Sequence, residues 1–188
     1  MYGLVNRALQ QLVRAQRGDK VWDEIRSKAG VAHEVFSRMD PYPDDMTYCL
    51  VAAASDVLSM PVDELLRQFG HYWTRYTMDE GYGALLSDLG GTLHEALAAL
   101  DAMHARVALL YPQLKPPTFQ VSSDDPTHFR LEYRSHRAGL APMVIGLIEG
   151  MGERYGVQLA IEHLHTRDDT HDHDLFDIRI IGPHPDAH

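Results

Sequence analysis

Cysteine is nearly absent from this chain of 188 residues, with Cys49 as its single thiol. That excludes an internal disulfide, a Cys-x-x-Cys redox pair and covalent attachment of a cofactor through paired cysteines. Cys49 sits inside a helical pattern without an evident activating neighbour, so it reads as a buried structural thiol. No apolar run reaches the roughly 18 residues of a membrane span. The stretch Met1–Val13 lacks the basic start and long apolar block of a secretion signal, and a cytoplasmic location is expected. Basic residues are the minority, 17 Lys and Arg against 27 Asp and Glu, for a net charge of −10. This balance disfavours nucleic acid and anionic membranes as partners. Gly-x-Ser-x-Gly, Walker, His-Glu-x-x-His and Gly-x-Gly-x-x-Gly motifs are all missing, and the chain is not expected to be an enzyme.

What is present is apolar patterning. The apolar share is 45 %, enough for a core and a cavity within one domain of residues 1–188. Leu4, Ala8, Leu9, Leu12 and Val13 give a first helix over 2–17, ended by Gly18. A second runs from about Val21 to Ala29. Residues 30–45 are broken by Gly30, Pro41 and Pro43. Asp44 and Asp45 open a third helix, with Tyr48, Val51, Ala52 and Leu58 as its apolar side. Pro61 starts a fourth, running to about Tyr76 and carrying Phe69, Tyr72, Trp73 and Tyr76, a stripe that ordinary core packing explains. A short helix is expected near Tyr82–Leu89, and a continuous one from Thr92 to Tyr111. The period then changes. Residues 118–122 and 128–135 alternate as strands around a turn at 123–126. Leu140–Tyr155 is helical, and 157–163 and 175–181 are further strands. This order predicts an α+β fold of about seven helices and a four-stranded antiparallel sheet.

Three constellations carry chemistry. His104 falls on the buried stripe Leu93, Leu97, Leu100, Val107 and Tyr111. A buried imidazole needs a partner, because an unpaired buried polar group costs about 1–3 kcal/mol; a carbonyl, a carboxylate or a metal would serve. Tyr133, Ser135 and Arg137, two apart on a strand, would present two hydroxyls and a guanidinium along one face. Such a row suits a carboxylate, but standing alone it reads more simply as a solvated sheet face. Six of the 12 histidines lie at or after position 163. His163, His165, His171 and His173, with four aspartates among them, read as an exposed polar hairpin or a zinc site.

The combination resembles a known family. Leu100-Asp-Ala-Met-His104-Ala-Arg-Val, Tyr111-Pro, Pro116-Pro117-Thr-Phe119 and Tyr133-x-Ser135-x-Arg137 are similar to the haem nitric oxide/oxygen binding (H-NOX) family, the bacterial stand-alone relatives of the haem domain of soluble guanylate cyclase. The resemblance extends to Met1-Tyr-Gly-Leu-Val-Asn, Thr47-Tyr48, Ala52-Ala-Ala-Ser55, Glu80-Gly-Tyr82-Gly, Gly139-Leu140-Ala-Pro142 and Gly146-Leu147-Ile-Glu-Gly150.

It implies non-covalent haem b, buried between a helical distal lobe (about 1–65) and a proximal lobe (about 66–188). His104 resembles the iron ligand, and Tyr133, Ser135 and Arg137 resemble the propionate donors. Pro117, thirteen positions after His104, resembles the proline that presses on the porphyrin. Asp44 or Asp45 matches an acidic partner of Arg137. The distal lining is expected to be Val5, Leu9, Trp73, Met143 and Leu147. Oxygen-binding members carry a distal tyrosine on the late helix, and Ala138–Ile148 holds no hydroxyl side chain. The resemblance therefore implies a sensor of nitric oxide and carbon monoxide with little oxygen binding, although the Trp73 N–H leaves an oxygen-binding protein open. Release of His104 would signal in trans to a histidine kinase or cyclic-di-GMP enzyme.

Overall fold

The computed structural model describes residues 1–78, 89–111, 113–122 and 125–185. Among them are seven helices and four strands. The helix expected near Tyr82–Leu89 lies, but for Leu89, outside the described residues. So do the Glu80–Gly83 stretch and positions 123 and 124 of the expected turn.

Helices α1 (Gly3–Arg17), α2 (Asp19–Lys28), α3 (Asp44–Leu58) and α4 (Val62–Thr77) follow the apolar periods of the sequence. Gly18 separates α1 from α2 at φ +84°, a conformation that costs little without a Cβ. The four helices close over Leu9, Val13, Trp22, Ile25, Phe36 and Leu50, all nearly inaccessible. Trp22 and Phe36 meet edge to face at 6.5 Å.

On α3 the expected apolar side is rotated. Thr47, Leu50, Ala53 and Ala54 are buried, while Tyr48 and Ala52 are exposed. Cys49 is exposed as well, which corrects its reading as a buried thiol. The reason is the helical period: position 49 lies between the two buried rows.

After α4 come α5 (Leu93–Ala98) and α6 (Leu100–Leu110). Thr92 and Glu95 form a reciprocal capping box that starts α5, satisfying backbone N–H groups that a helix terminus leaves free. The continuous helix expected from Thr92 to Tyr111 is broken by a turn at Ala99. Asp101, in the first turn of α6, accepts the backbone N–H of Phe119 at 2.6 Å. That bond ties α6 to the sheet at a point beyond α5.

The sheet contains β1 (Thr118–Ser122), β2 (His128–Arg134), β3 (Val157–His165) and β4 (Asp174–Pro183) in the order β1-β2-β4-β3, all antiparallel. Helix α7 (Ala141–Arg154) carries the chain from β2 to β3. Phe119, Phe129, Leu131, Phe176 and Ile178 on the inner face pack against Leu93, Leu97, Val144 and Ile148 to make a second core.

Helices α4 and α7 join the two cores. Their backbones approach so closely that a Cβ on Gly146 would collide with the Arg67 carbonyl, and one on Gly70 with the Met143 carbonyl. A bidentate Arg67–Glu149 pair and Arg75 and His71 on Glu153, each at 2.8 Å, line the outer edge. Gly146→Val should lower unfolding stability by about 2–3 kcal/mol, read as a lower urea midpoint at unchanged slope. A midpoint equal to that of the parent would refute the backbone contact.

Candidate functional site: one cavity with a histidine wall and a polar end

A cavity of about 600 Å³ lies between the helical layer and the sheet, a size typical of cofactor pockets. It collects the ten residues singled out from sequence: Val5, Leu9, Trp73, His104, Pro117, Tyr133, Ser135, Arg137, Met143 and Leu147. They arrive from several parts of the fold, with α1 and α7 supplying two each. The half-buried edge of α1 supplies Val5. Met143 and Leu147 lie one step around α7 from the buried Val144 and Ile148. Tyr48, Val51 and Ala52 also line the cavity, so the rotated face of α3 is a cavity wall.

His104 stacks on Phe119, with ring centroids 5.7 Å apart. Its Nδ1 is buried and has no hydrogen-bond partner among the described residues. Burial depresses its pKa below the ordinary histidine value, and the field of Asp101 opposes this without reversing it. The imidazole is therefore held neutral, the form whose lone pair binds a metal.

The opposite chemistry gathers at one end. Tyr133 is buried against Phe119 at 5.2 Å. Burial raises its phenol pKa, and a hydrogen bond with Ser135 acts the other way. Tyr133 is on β2, but Ser135 and Arg137 are not, because the strand ends at Arg134. The shared strand face expected for the three is thus corrected. Ladder pairing stops at Thr118–Arg134 and Tyr133–Asp174, and the chain turns. Ser135 Oγ accepts the Arg137 backbone N–H at 3.1 Å, a local bond that stabilises such turns. Asp44, rather than Asp45, receives Arg137: Nε donates to Oδ2 at 2.9 Å and an Nη to Oδ1 at 3.3 Å. The first amino group, on Met1, also pairs with Asp44.

Several wall residues were not evident from sequence. Tyr2, Thr47 and Thr77 line the cavity along with Tyr48. Thr47 donates to Asn6 Oδ1 at 2.7 Å, Thr77 to the Trp73 carbonyl at 2.8 Å and Tyr48 to the Ala138 carbonyl at 3.1 Å. Tyr2 accepts from the Gln113 N–H at 3.2 Å. Phe69 and Leu66 were legible in principle, since they share the Trp73 face of α4 by helical spacing. Leu114, Lys115 and Pro116 belong to an irregular segment that offers no period.

None of the hairpin histidines lines this cavity, although Arg167 of the same loop donates to the Ser135 carbonyl. His163 pairs with Asp174, His171 with Asp168 and His173 with Asp172. Among the described residues no group of three or more His, Cys, Asp or Glu is arranged to hold a metal ion.

The Haem-NO-binding family profile matches residues 2–163. The chain belongs to the haem-NO-binding (H-NOX) family. Its family is one of haem-based gas sensors. Soluble guanylate cyclase gcy-31 of Caenorhabditis elegans is 30 % identical over 170 residues, which is 90 % of this chain and 24 % of that protein. Soluble guanylate cyclase 89Db of Drosophila melanogaster is 25 % identical over 170 residues, 90 % of this chain and 25 % of that protein. The chain thus spans about a quarter of the length of these relatives and corresponds to their sensor domain. The fold matches an H-NOX protein from S. oneidensis in the Fe(II)NO state, with TM-score 0.85 and 21 % identity over 96 % of this chain and 99 % of that one. It also matches unliganded Fe(II) H-NOX from K. algicida, with TM-score 0.83 and 22 % identity over 96 % of each chain. Among the described residues no helix is long and apolar enough to cross a membrane.

The Asp44–Arg137 pair carries a pH signature. Burial raises the Asp44 pKa, but hydrogen bonds from the first amino group and Arg137 outweigh it, leaving the pKa below the ordinary 3.8. A depressed carboxylate stabilises the fold above its unfolded pKa and loses that contribution as pH falls through its folded pKa. Asp44→Asn should therefore reduce stability at neutral pH, with the difference closing below 3.8. Urea unfolding of both proteins across the acid range checks this; a gap constant with pH would refute it.

Proposed function

We propose that this H-NOX chain binds haem b non-covalently in the cavity and senses nitric oxide, with carbon monoxide as a second ligand and little or no oxygen. The observation that carries the proposal is His104: a neutral imidazole with an orphaned buried nitrogen, on the wall of an otherwise apolar cavity whose far end is built for carboxylates. These features suit haem, an apolar disc that needs one axial nitrogen and carries two propionates at one edge. When bound, haem supplies a ferrous iron at which a diatomic gas coordinates.

The roles of the residues follow from their chemistry. His104 would supply the nitrogen that holds the iron. Tyr133 and Ser135 would donate hydroxyl hydrogen bonds to a propionate, and Arg137 would add a planar cation. Pro117, whose ring fixes its backbone, would form a rigid part of the wall against the porphyrin. Val5, Leu9, Met143 and Leu147 offer the bound gas no hydrogen bond. The hydroxyls of Thr47, Tyr48 and Thr77 donate to protein acceptors, so they are not available to bound oxygen. An oxygen-binding reading would rest on the Trp73 indole N–H, which belongs to the same wall.

His104 is also the tether of α6. That helix is bonded to β1 through Asp101. Tyr111, just beyond its end, packs edge to face on Tyr2 at 4.8 Å. Release of His104 would loosen one attachment of α6 and shift it against the start of α1. The moving parts are a helical lobe of about residues 1–65 and a second lobe of about 66–188 in one domain. A separate signalling protein in the cytoplasm, a histidine kinase or a cyclic-di-GMP enzyme, would read the shift. It counts as allostery only through a difference in the partner's affinity or activity between the two states.

The purified ferrous protein should show a Soret band that is unchanged in air and shifts with nitric oxide. A stable oxy spectrum would sink the selectivity claim, and its loss in Trp73→Phe would then identify the donor. His104→Gly should lose haem unless imidazole is supplied; unaltered haem content would remove His104 as the ligand. Replacing His171 and His173 should leave the spectrum unchanged.

A further inference from the structure

Arg137 does not face the cavity as an unopposed cation. Two of its nitrogens donate to Asp44, and a third donates to the Lys115 carbonyl at 3.2 Å. Asp44 therefore offsets part of its charge, since the same carboxylate also pairs with the Met1 amino group. Tyr133 and Ser135 contribute dipoles and no charge. A porphyrin with two propionates brings two negative charges, and a carboxylate leaving water without a cation beside it carries a heavy desolvation penalty.

A second, polar cavity of about 220 Å³ adjoins this end. The two cavities share Met1, Tyr2, Leu114, Lys115 and Arg137. The Met1 amino group and Arg137 both pair with Asp44. Lys115 is the one shared residue whose cation is in no ion pair among the described residues. Its field extends into the second cavity: burial, Arg137 and Lys115 together hold the His136 pKa below its ordinary value, although Asp44 lies 3.8 Å away.

We infer that Lys115 is the second carboxylate-binding cation of this site. Tyr133, Ser135 and Arg137 take one propionate, and the Lys115 ammonium takes the other at the boundary of the two cavities. The inference rests on reading the main cavity as a porphyrin site. It assigns a role to a residue in the irregular segment between α6 and β1, and it splits the polar end into two subsites with different chemistry. One is a planar fork already braced by Asp44. The other is a flexible point charge reaching from the rim.

The test is release of haem from the holoprotein to excess apomyoglobin, followed at the Soret band. Lys115→Ala should release haem about tenfold faster, the effect of losing one charge-assisted contact. Lys115→Arg, which keeps the charge, should stay within about twofold of the parent. With haem dimethyl ester, which has no carboxylate to bind, the parent and Lys115→Ala should release at the same rate. The difference seen with haem should shrink as salt is raised. An unchanged rate in Lys115→Ala, or an equal acceleration with the diester, would overturn the inference. A parent protein without a Soret band would overturn the porphyrin reading and this inference with it, and that failure is distinguishable because it does not involve residue 115.

Discussion

The contact between α4 and α7 constrains everything around the cavity. Gly70 and Gly146 allow backbone to meet backbone, and at that distance the side chains flanking the contact have no room between the helices. They are forced to either side. Arg67, His71 and Arg75 go outward to Glu149 and Glu153. Trp73, Met143 and Leu147 go inward to the cavity. The pair also joins the two cores, since Phe69 and Tyr76 of α4 belong to the helical cluster and Val144 and Ile148 of α7 to the sheet cluster. This small-residue seam thus fastens the two layers together on one side of the gap between them. The interior is otherwise close-packed, and close-packed layers transmit a displacement rather than absorb it.

Within that gap, polarity is separated by position. The walls contributed by helices are apolar, and the wall hydroxyls whose bonds are known turn to protein partners. Charge is confined to the end where the turn after β2 meets the start of α3. Arg137 and Asp44 meet there across a sequence separation of 93 residues, so the pair links the sheet side to the helical side while ordering the donors between them. Its modest exposure limits its worth as a simple salt bridge. Its greater importance is geometric. A guanidinium fixed by two carboxylate oxygens and a carbonyl keeps its remaining N–H groups in one direction.

Much of this was legible in the sequence, and the failures have physical causes. Helix periods identified α1, α4 and α7 because their buried faces are mostly apolar. On α3 the rule misled, because Tyr48, Val51 and Ala52 are apolar for a cavity rather than for a neighbouring helix, and hydropathy does not distinguish the two. Cys49, next to Tyr48, is exposed. Ser135 and Arg137 were chosen for a strand alternation that stops at Arg134; the turn brings them to the same cavity by a local hydroxyl–backbone bond that alternation does not describe. The break at Ala99 had no glycine or proline to announce it. Its partner is Asp101 bonding to Phe119, a contact across 18 positions. Lys115 lies in a segment with no period at all, so only three-dimensional adjacency assigns it a place.

His104 shows why such a site needs both cores. A buried imidazole nitrogen without a hydrogen-bond partner is destabilising by itself. The protein tolerates it because Phe119 stacks on the ring and Asp101 fastens the start of the same helix to the strand that carries Phe119. The two interactions hold the imidazole through protein contacts alone, one from the cavity wall at Phe119 and one from the helix backbone side at Asp101. A ligand that completes the orphaned histidine then gains the full worth of that bond, because little of it is used to order the side chain. The helix that carries the imidazole runs on to Tyr111, which packs edge to face on Tyr2, so the histidine is linked mechanically to the start of α1 as well as to the sheet.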